Sequence, residues 1–407
     1  MGFLKEHYYA VIFGGLLTFF SSFGQTFFIS LFVPGLLTAF ALSNSAFGTY
    51  YAAATIIASF FLLRFGHVID ERPIRPFTYK TIFLLAGACL FLGLAVHPSM
   101  VFIALIGLRL GGQSLMSHIS QSVMSRHFEK DRGKALSLTS LGYSLGEIIF
   151  PLAIALILTL TDWRFALFAS TAMLLLILLP VLSLLKLEEY DVEQLSDQPS
   201  KGPEWHYFIE ILREKSFWYI ALPSFMVPFM TTGLFFYQYV LAEARGWPLE
   251  WYALCFAGYA GMRMLFSFYG GILNDRFTAR ELFPYLLIPL IAGLFSLAWV
   301  PGDYAALLFL LLTGVTIGMS SVVKIALIAE IYGTQKIGQV KSLFTVGMVI
   351  FSAFGPMVVG FLLDAGTTFS QIAWGSGLVL TLIMINTFIT AGDTWFARRF
   401  SWNTQYQ

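Results

Sequence analysis

Long apolar runs, parted by short polar turns, repeat along the whole chain, and a run of about 20 residues crosses a bilayer as one helix. They predict spans over roughly 8–33, 45–65, 77–96, 100–125, 135–159, 163–186, 217–241, 250–272, 283–300, 304–331, 340–363 and 370–396. The pattern is that of an all-α membrane protein with twelve transmembrane helices. Runs longer than the bilayer needs tilt or extend past it. The first run, "YYAVIFGGLLTFF", continues into "SSFGQTFFISLFV" with no small-residue cleavage site, so it reads as a retained span. One long polar segment, 187–216, parts the first six spans from the last six. Within it, Pro203 and Glu204 can open a short helix running to Lys215 at the membrane surface. A solvated linker is the alternative.

Composition agrees with the pattern. Of 407 residues, 57% are hydrophobic and 12% charged, about half the charged share of a soluble domain. The net charge of +1 says nothing about partners, but its distribution does. Nineteen of the 24 Lys and Arg fall on one side of the predicted spans, and only Arg164 and Arg245 on the other. The positive-inside rule then makes both termini and the 187–216 segment cytoplasmic, in a multi-pass protein of the inner, or plasma, membrane. Cys89 and Cys255 each sit alone in a span, which suits two small buried apolar residues better than a disulfide or metal framework.

A repeat divides the chain. "GHVIDERPIR" starts at Gly66 after the second span, and "GILNDRFTAR" starts at Gly271 after the eighth. Gly66, Asp70 and Arg72 in one correspond to Gly271, Asp275 and Arg276 in the other. Glycine lets a helix end approach its neighbour closely, and the aspartate can accept hydrogen bonds from a neighbouring helix N-terminus, where the dipole favours an anion. These turns resemble the loop signature of the major facilitator superfamily, Gly-x-x-x-Asp-Arg. It is matched in full at Gly271, Asp275 and Arg276, while in the first copy Glu71 displaces the arginine by one place. "LIGLRLGG" (Leu105 to Gly112) is similar to the family's fourth-span Arg motif. "GYSLGEIIFP" and "FSAFGPMVVG" are similar to the Gly/Pro segments of its fifth and eleventh spans. The resemblance covers essentially the whole chain. It implies two six-helix bundles, 1–186 and 217–407, related by a pseudo-two-fold axis and joined by the cytoplasmic linker 187–216. It also implies a central cavity lined by spans one, two, four, five, seven, eight, ten and eleven, alternating access, and a conformational gating role for the six turn residues.

The sequence offers nothing to an enzyme. It has no Gly-x-x-x-x-Gly-Lys-Ser/Thr phosphate loop, no His-Glu-x-x-His, and no Ser, His and Asp at matching depth. No cofactor, metal or nucleic acid is expected. His118 lies nine residues from Arg109, about half a turn away on an α-helix, and reads as a packed or interhelical histidine. Four charges remain deep in the spans: Arg109, Glu147, Arg263 and Lys324. Each costs at least about 2.5–3.5 kcal/mol there and marks a pathway or a pair. At 1.5 Å per residue, Arg109 and Glu147 lie about 27 and 20 Å from their cytoplasmic helix ends, and Arg263 and Lys324 about 15 and 12 Å. Arg109 and Glu147 can therefore meet, either as a structural salt bridge or with Glu147 as the proton-coupling carboxyl. Lys324, in "VTIGMSSVVKIALIAE", has no acidic neighbour within five positions. With Arg263 it points to an anion, unless it snorkels to the interface.

The candidate substrate contacts are Arg263, Lys324, Arg109, Gln25, Tyr50, Tyr143, Tyr237, Gln238, Tyr259 and Ser320. Few charges among many aromatics suit a small anion with an apolar body. The basic set is similar to that of monocarboxylate- and oxalate-type organic anion transporters, although the first span carries "SSFGQTFF" where the former have a lysine. The sequence thus reads as a monomeric secondary active transporter of a small organic anion, a carboxylate, coupled to protons across the lipid bilayer. The alternative is an exporter of drugs or of siderophore-like, metal-chelating natural products.

Overall fold

The computed structural model of the chain describes residues 7–65, 73–128, 131–185, 205–333 and 337–392. Among these residues every regular element is helical. Helix α1 is broken, running Tyr8–Gly24 and then Thr26–Phe40 with a bend of 44°. It is followed by α2 (Asn44–Phe65), α3 (Ile74–Gly93), α4 (Pro98–His127), α5 (Arg132–Leu160) and α6 (Trp163–Ser183). The second set is α7 (Lys215–Phe236), α8 (Leu249–Arg276), α9 (Ala279–Trp299), α10 (Tyr304–Tyr332), α11 (Ile337–Asp364) and α12 (Phe369–Gly392). By length and apolarity ten of these pass as membrane spans, and the broken α1 makes eleven. The twelfth, α8, has 28 residues and is less apolar because it carries Glu250, Arg263, Asp275 and Arg276. All twelve predicted spans are present as helices.

An all-helical answer is what lipid demands, since each backbone group must be satisfied within its own segment. Helix ends follow local chemistry. Asp162 caps α6 by accepting from the Phe165 amide at 2.8 Å. Gly333 closes α10 at a φ of 72°, which a side chain adopts only with strain.

The helices form two compact units, Met1–Gln198 with Phe235–Ala257, and Pro199–Leu234 with Gly258–Gln407. In the first, α5 packs on α1 through small residues. A Cβ at Gly142 would run into the Gly15 carbonyl, and Thr18 Oγ1 donates to the Thr139 carbonyl. In the second, α8 lies against Gly314 and Gly318 of α10, where an added Cβ would meet the backbone of Tyr259 and Arg263. Ser267 and Ser321 share a hydrogen bond of 3.1 Å across the same seam.

The short helix expected before Lys215 runs Trp205–Arg213; Pro203 and Glu204 lie outside the described residues. Its Ile211 is buried in the core of the second unit with Phe217, Phe225, Phe283 and Phe344, so this stretch is tethered and is not a free linker.

Candidate functional site

In the first unit, Arg109 stands where α4 changes from α- to π-helical winding over Arg109–Met116. Such bulges recur at functional or strained places. The break in α1 faces it. Gln25 is extended at ψ 156°, and the helix restarts with the Gln25 carbonyl accepting from the Phe28 and Ile29 amides. This leaves the Gly24 carbonyl without a helical donor. Arg109 supplies one, donating from Nη1 at 3.1 Å, and its Nε donates to Thr55 Oγ1 at 3.1 Å. Its guanidinium also lies 4.7 Å from the centre of the Tyr51 ring. The backbones of Gly24 and Gly112 touch, and a Cβ at either would collide with the backbone of the other helix. Arg109, 3% exposed, is thus tied to the helix break it holds together.

Glu147 is not among its partners, and the sequence-predicted meeting of the two does not occur. Glu147 is 4% exposed, next to Gly146 at the α1–α5 seam. The depth argument placed both groups at similar heights, but height leaves open which way a side chain turns. The helix break claimed the arginine. Tyr143 lies within electrostatic range of Arg109. Tyr50 turns aside against the Phe102 ring, leaving Tyr51 at Arg109. Tyr237 is buried and donates its hydroxyl to the Asn44 carbonyl, and Gln238 donates to Ser30 Oγ at 2.7 Å, so both act here as packing groups of the first unit.

The turn residues divide. Gly66, Asp70 and Arg72 lie outside the described residues. Gly271 has open space where a Cβ would go, so no close helix approach requires it. Asp275 is exposed and makes no hydrogen bond or ion pair among the described residues. The expected anion at a helix N-terminus is present, but the carboxylate is Glu330 of α10, which accepts from the Ala279 amide at 2.9 Å. Thr278 and Glu281 add a capping box at the same end. The sequence carries no signal for Glu330 in this role, because its partner is 51 residues away in the chain.

In the second unit, a cavity of about 200 Å³ opens among α7, α9, α10 and α11. Its polar lining is Ser224, Thr231, Ser320, Ser321 and Lys324. Val227, Leu286, Leu287, Ile317 and Met348 supply apolar walls. The hydrogen bond that Lys324 makes is to a weak acceptor, donating from Nζ to Met348 Sδ at 3.0 Å. The charged group in electrostatic range of it is a second cation, Lys341. Ser224 is 8% exposed and its hydroxyl has no hydrogen-bond partner among the described residues. Thr231 and Ser321 spend theirs on the Val227 and Gly318 carbonyls of their own helices. Ser224 was not singled out from the sequence, although a signal exists. Pro228, four residues on, lacks the N–H that would have bonded the Ser224 carbonyl.

The expectation that Arg263 and Lys324 flank one site is not met, because Arg263 does not line this cavity. It is half-buried at the seam where α8 meets Gly314 and Gly318, and Tyr259 is buried at the same seam. Ser320 does line it. The walls also include Phe283, Leu286 and Leu287 of α9, a helix outside the set expected to face a cavity.

Comparison with known proteins agrees with this architecture. The Major Facilitator Superfamily model matches residues 14–266 and 252–394. Among solved structures, a bacterial homologue of the human lysosomal transporter Spinster, inward-facing and unoccupied, is similar over 97% of each chain, with 16% identity and a TM-score of 0.72. The nucleoside transporter NupG is similar over 93% of this chain and 99% of its own, with 13% identity and a TM-score of 0.75. No curated protein matches the chain by sequence. With eleven helices apolar enough to span a membrane and a twelfth beside them among the described residues, charges set inside them and the family match spanning nearly the full length, the chain belongs to the major facilitator superfamily: it is a membrane transporter and not an enzyme.

Proposed function

We propose that this transporter moves a small organic anion, a carboxylate, by alternating access, with Lys324 as its cationic contact. One observation carries the reading: the ammonium of Lys324 opens on a cavity where a thioether is its hydrogen-bond partner and its charged neighbour is another cation. A cation so placed is costly unless something negative joins it. A bound carboxylate supplies the missing charge.

Glu147 is the proposed proton-coupling group, in the other unit. A carboxyl 4% exposed changes its charge by one unit when it exchanges a proton, and a two-state protein can read that change. On this reading the protein works in the plasma membrane with cytoplasmic termini.

The test is uptake of radiolabelled lactate into vesicles holding the purified protein. Removing one partner of a buried charge contact costs about 2–5 kcal/mol, so Lys324→Ala weakens lactate binding roughly thirtyfold or more. Glu147→Gln abolishes accumulation driven by a pH gradient but leaves exchange of internal for external lactate. Wild-type binding in Lys324→Ala overturns the anion assignment. Undiminished gradient-driven accumulation in Glu147→Gln removes the coupling role.

A further inference from the structure

We infer that the cavity beside Lys324 accepts singly charged carboxylates with a compact apolar body, and that Ser224 is a specificity-determining contact. This rests on the anion reading above and narrows it. The lining holds one cation; Arg263 and Lys341 lie outside it. The ammonium has three N–H donors, and Met348 Sδ engages one of them weakly. Ser224 brings a buried hydroxyl with no partner among the described residues into the same lining, and Ser320 adds a second hydroxyl to it. One carboxylate is enough to satisfy this set, accepting from Lys324 with one oxygen and from Ser224 with the other.

A second carboxylate has nowhere to go. It would press on Val227, Leu286, Leu287 or Ile317 as an uncompensated charge, and such burial is strongly unfavourable. The volume sets the size of the body. About 200 Å³ falls below the roughly 300–1,000 Å³ that holds drug-sized ligands, which also speaks against a bulky chelate or drug at this place. A neutral molecule of the same shape leaves the ammonium as it is and gains little from the site.

Titration calorimetry on the purified full-length protein, with butyrate, benzoate, succinate and butyramide as probes, tests this. Butyrate and benzoate should bind at least tenfold more tightly than succinate or butyramide. Ser224→Ala should weaken butyrate about tenfold without changing butyramide, and it removes only an unpartnered hydroxyl, so its melting temperature should stay at the wild-type value. Succinate binding as tightly as butyrate overturns the inference. So does wild-type butyrate affinity in Ser224→Ala while Lys324→Ala still weakens it, a result that keeps the anion reading. If neither substitution alters the binding of any probe, both readings fall together.

Discussion

Arg109 in the first unit and Lys324 in the second are both cations set inside apolar helices, yet their surroundings are opposite. Arg109 donates to a backbone carbonyl and a threonine hydroxyl and lies on a tyrosine ring, in a spot where glycine backbones touch. Lys324 opens on empty volume and meets a thioether. Their chemistry suits the difference. A planar guanidinium with five fixed donors can bridge several acceptors at once, whereas an ammonium is a mobile point charge. A buried cation bonded to the backbone of a neighbouring helix is part of the fold. One left short of acceptors beside a cavity is available to a ligand.

The sharpest way to break this contrast is to force apart the seam that Arg109 closes. Gly24→Val would drive a side chain into the Leu108 carbonyl and the Gly112 Cα. Overpacking typically costs about 1–3 kcal/mol, and backbone on both sides leaves no room to relax. Loss of monodisperse protein on size-exclusion chromatography is the expected result, and a normal yield with an unchanged melting temperature would show that the seam is looser than described.

A smaller effect separates the two cations directly. Arg109→Met strands the Gly24 carbonyl, at a cost of about 1–3 kcal/mol. Lys324→Met removes an uncompensated charge and should hold or raise the melting temperature, since apolar replacement of buried charge is often neutral or stabilising. Thermal unfolding in detergent reads both. Equal destabilisation by the two substitutions would erase the distinction.

The smallest effect repeats the contrast between two carboxylates. Glu330 caps the Ala279 amide, while Asp275 makes no bond among the described residues. Glu330→Gln keeps an acceptor but removes the charge at the helix N-terminus and should lower stability by about 0.3–1 kcal/mol, whereas Asp275→Asn should leave stability unchanged while slowing transport, as a gating role requires. A melting temperature that falls for Asp275→Asn and not for Glu330→Gln would reverse the assignment.

Much of this was legible in the residues. Apolar runs of fixed length, charge asymmetry and a repeated turn were enough for twelve helices and a family, because lipid leaves a chain few alternatives. The four intramembrane charges were found for the same reason, as exceptions to a uniform background. What each charge touches was not legible. Arg109 and Glu147 share a depth but not a direction, because a break at Gln25 and a π segment in α4 turned the arginine toward the Gly24 carbonyl. Neither feature has a periodicity signature. Arg263 went to a helix seam because Gly314 and Gly318 let α8 come that close. Sequence by itself determined how many helices cross and which of them carry charge, since both follow from the cost of exposing polar groups to hydrocarbon. Only the tertiary structure decided which charge is tied to a neighbouring backbone and which faces a cavity, because that depends on backbone contacts between residues far apart in the chain.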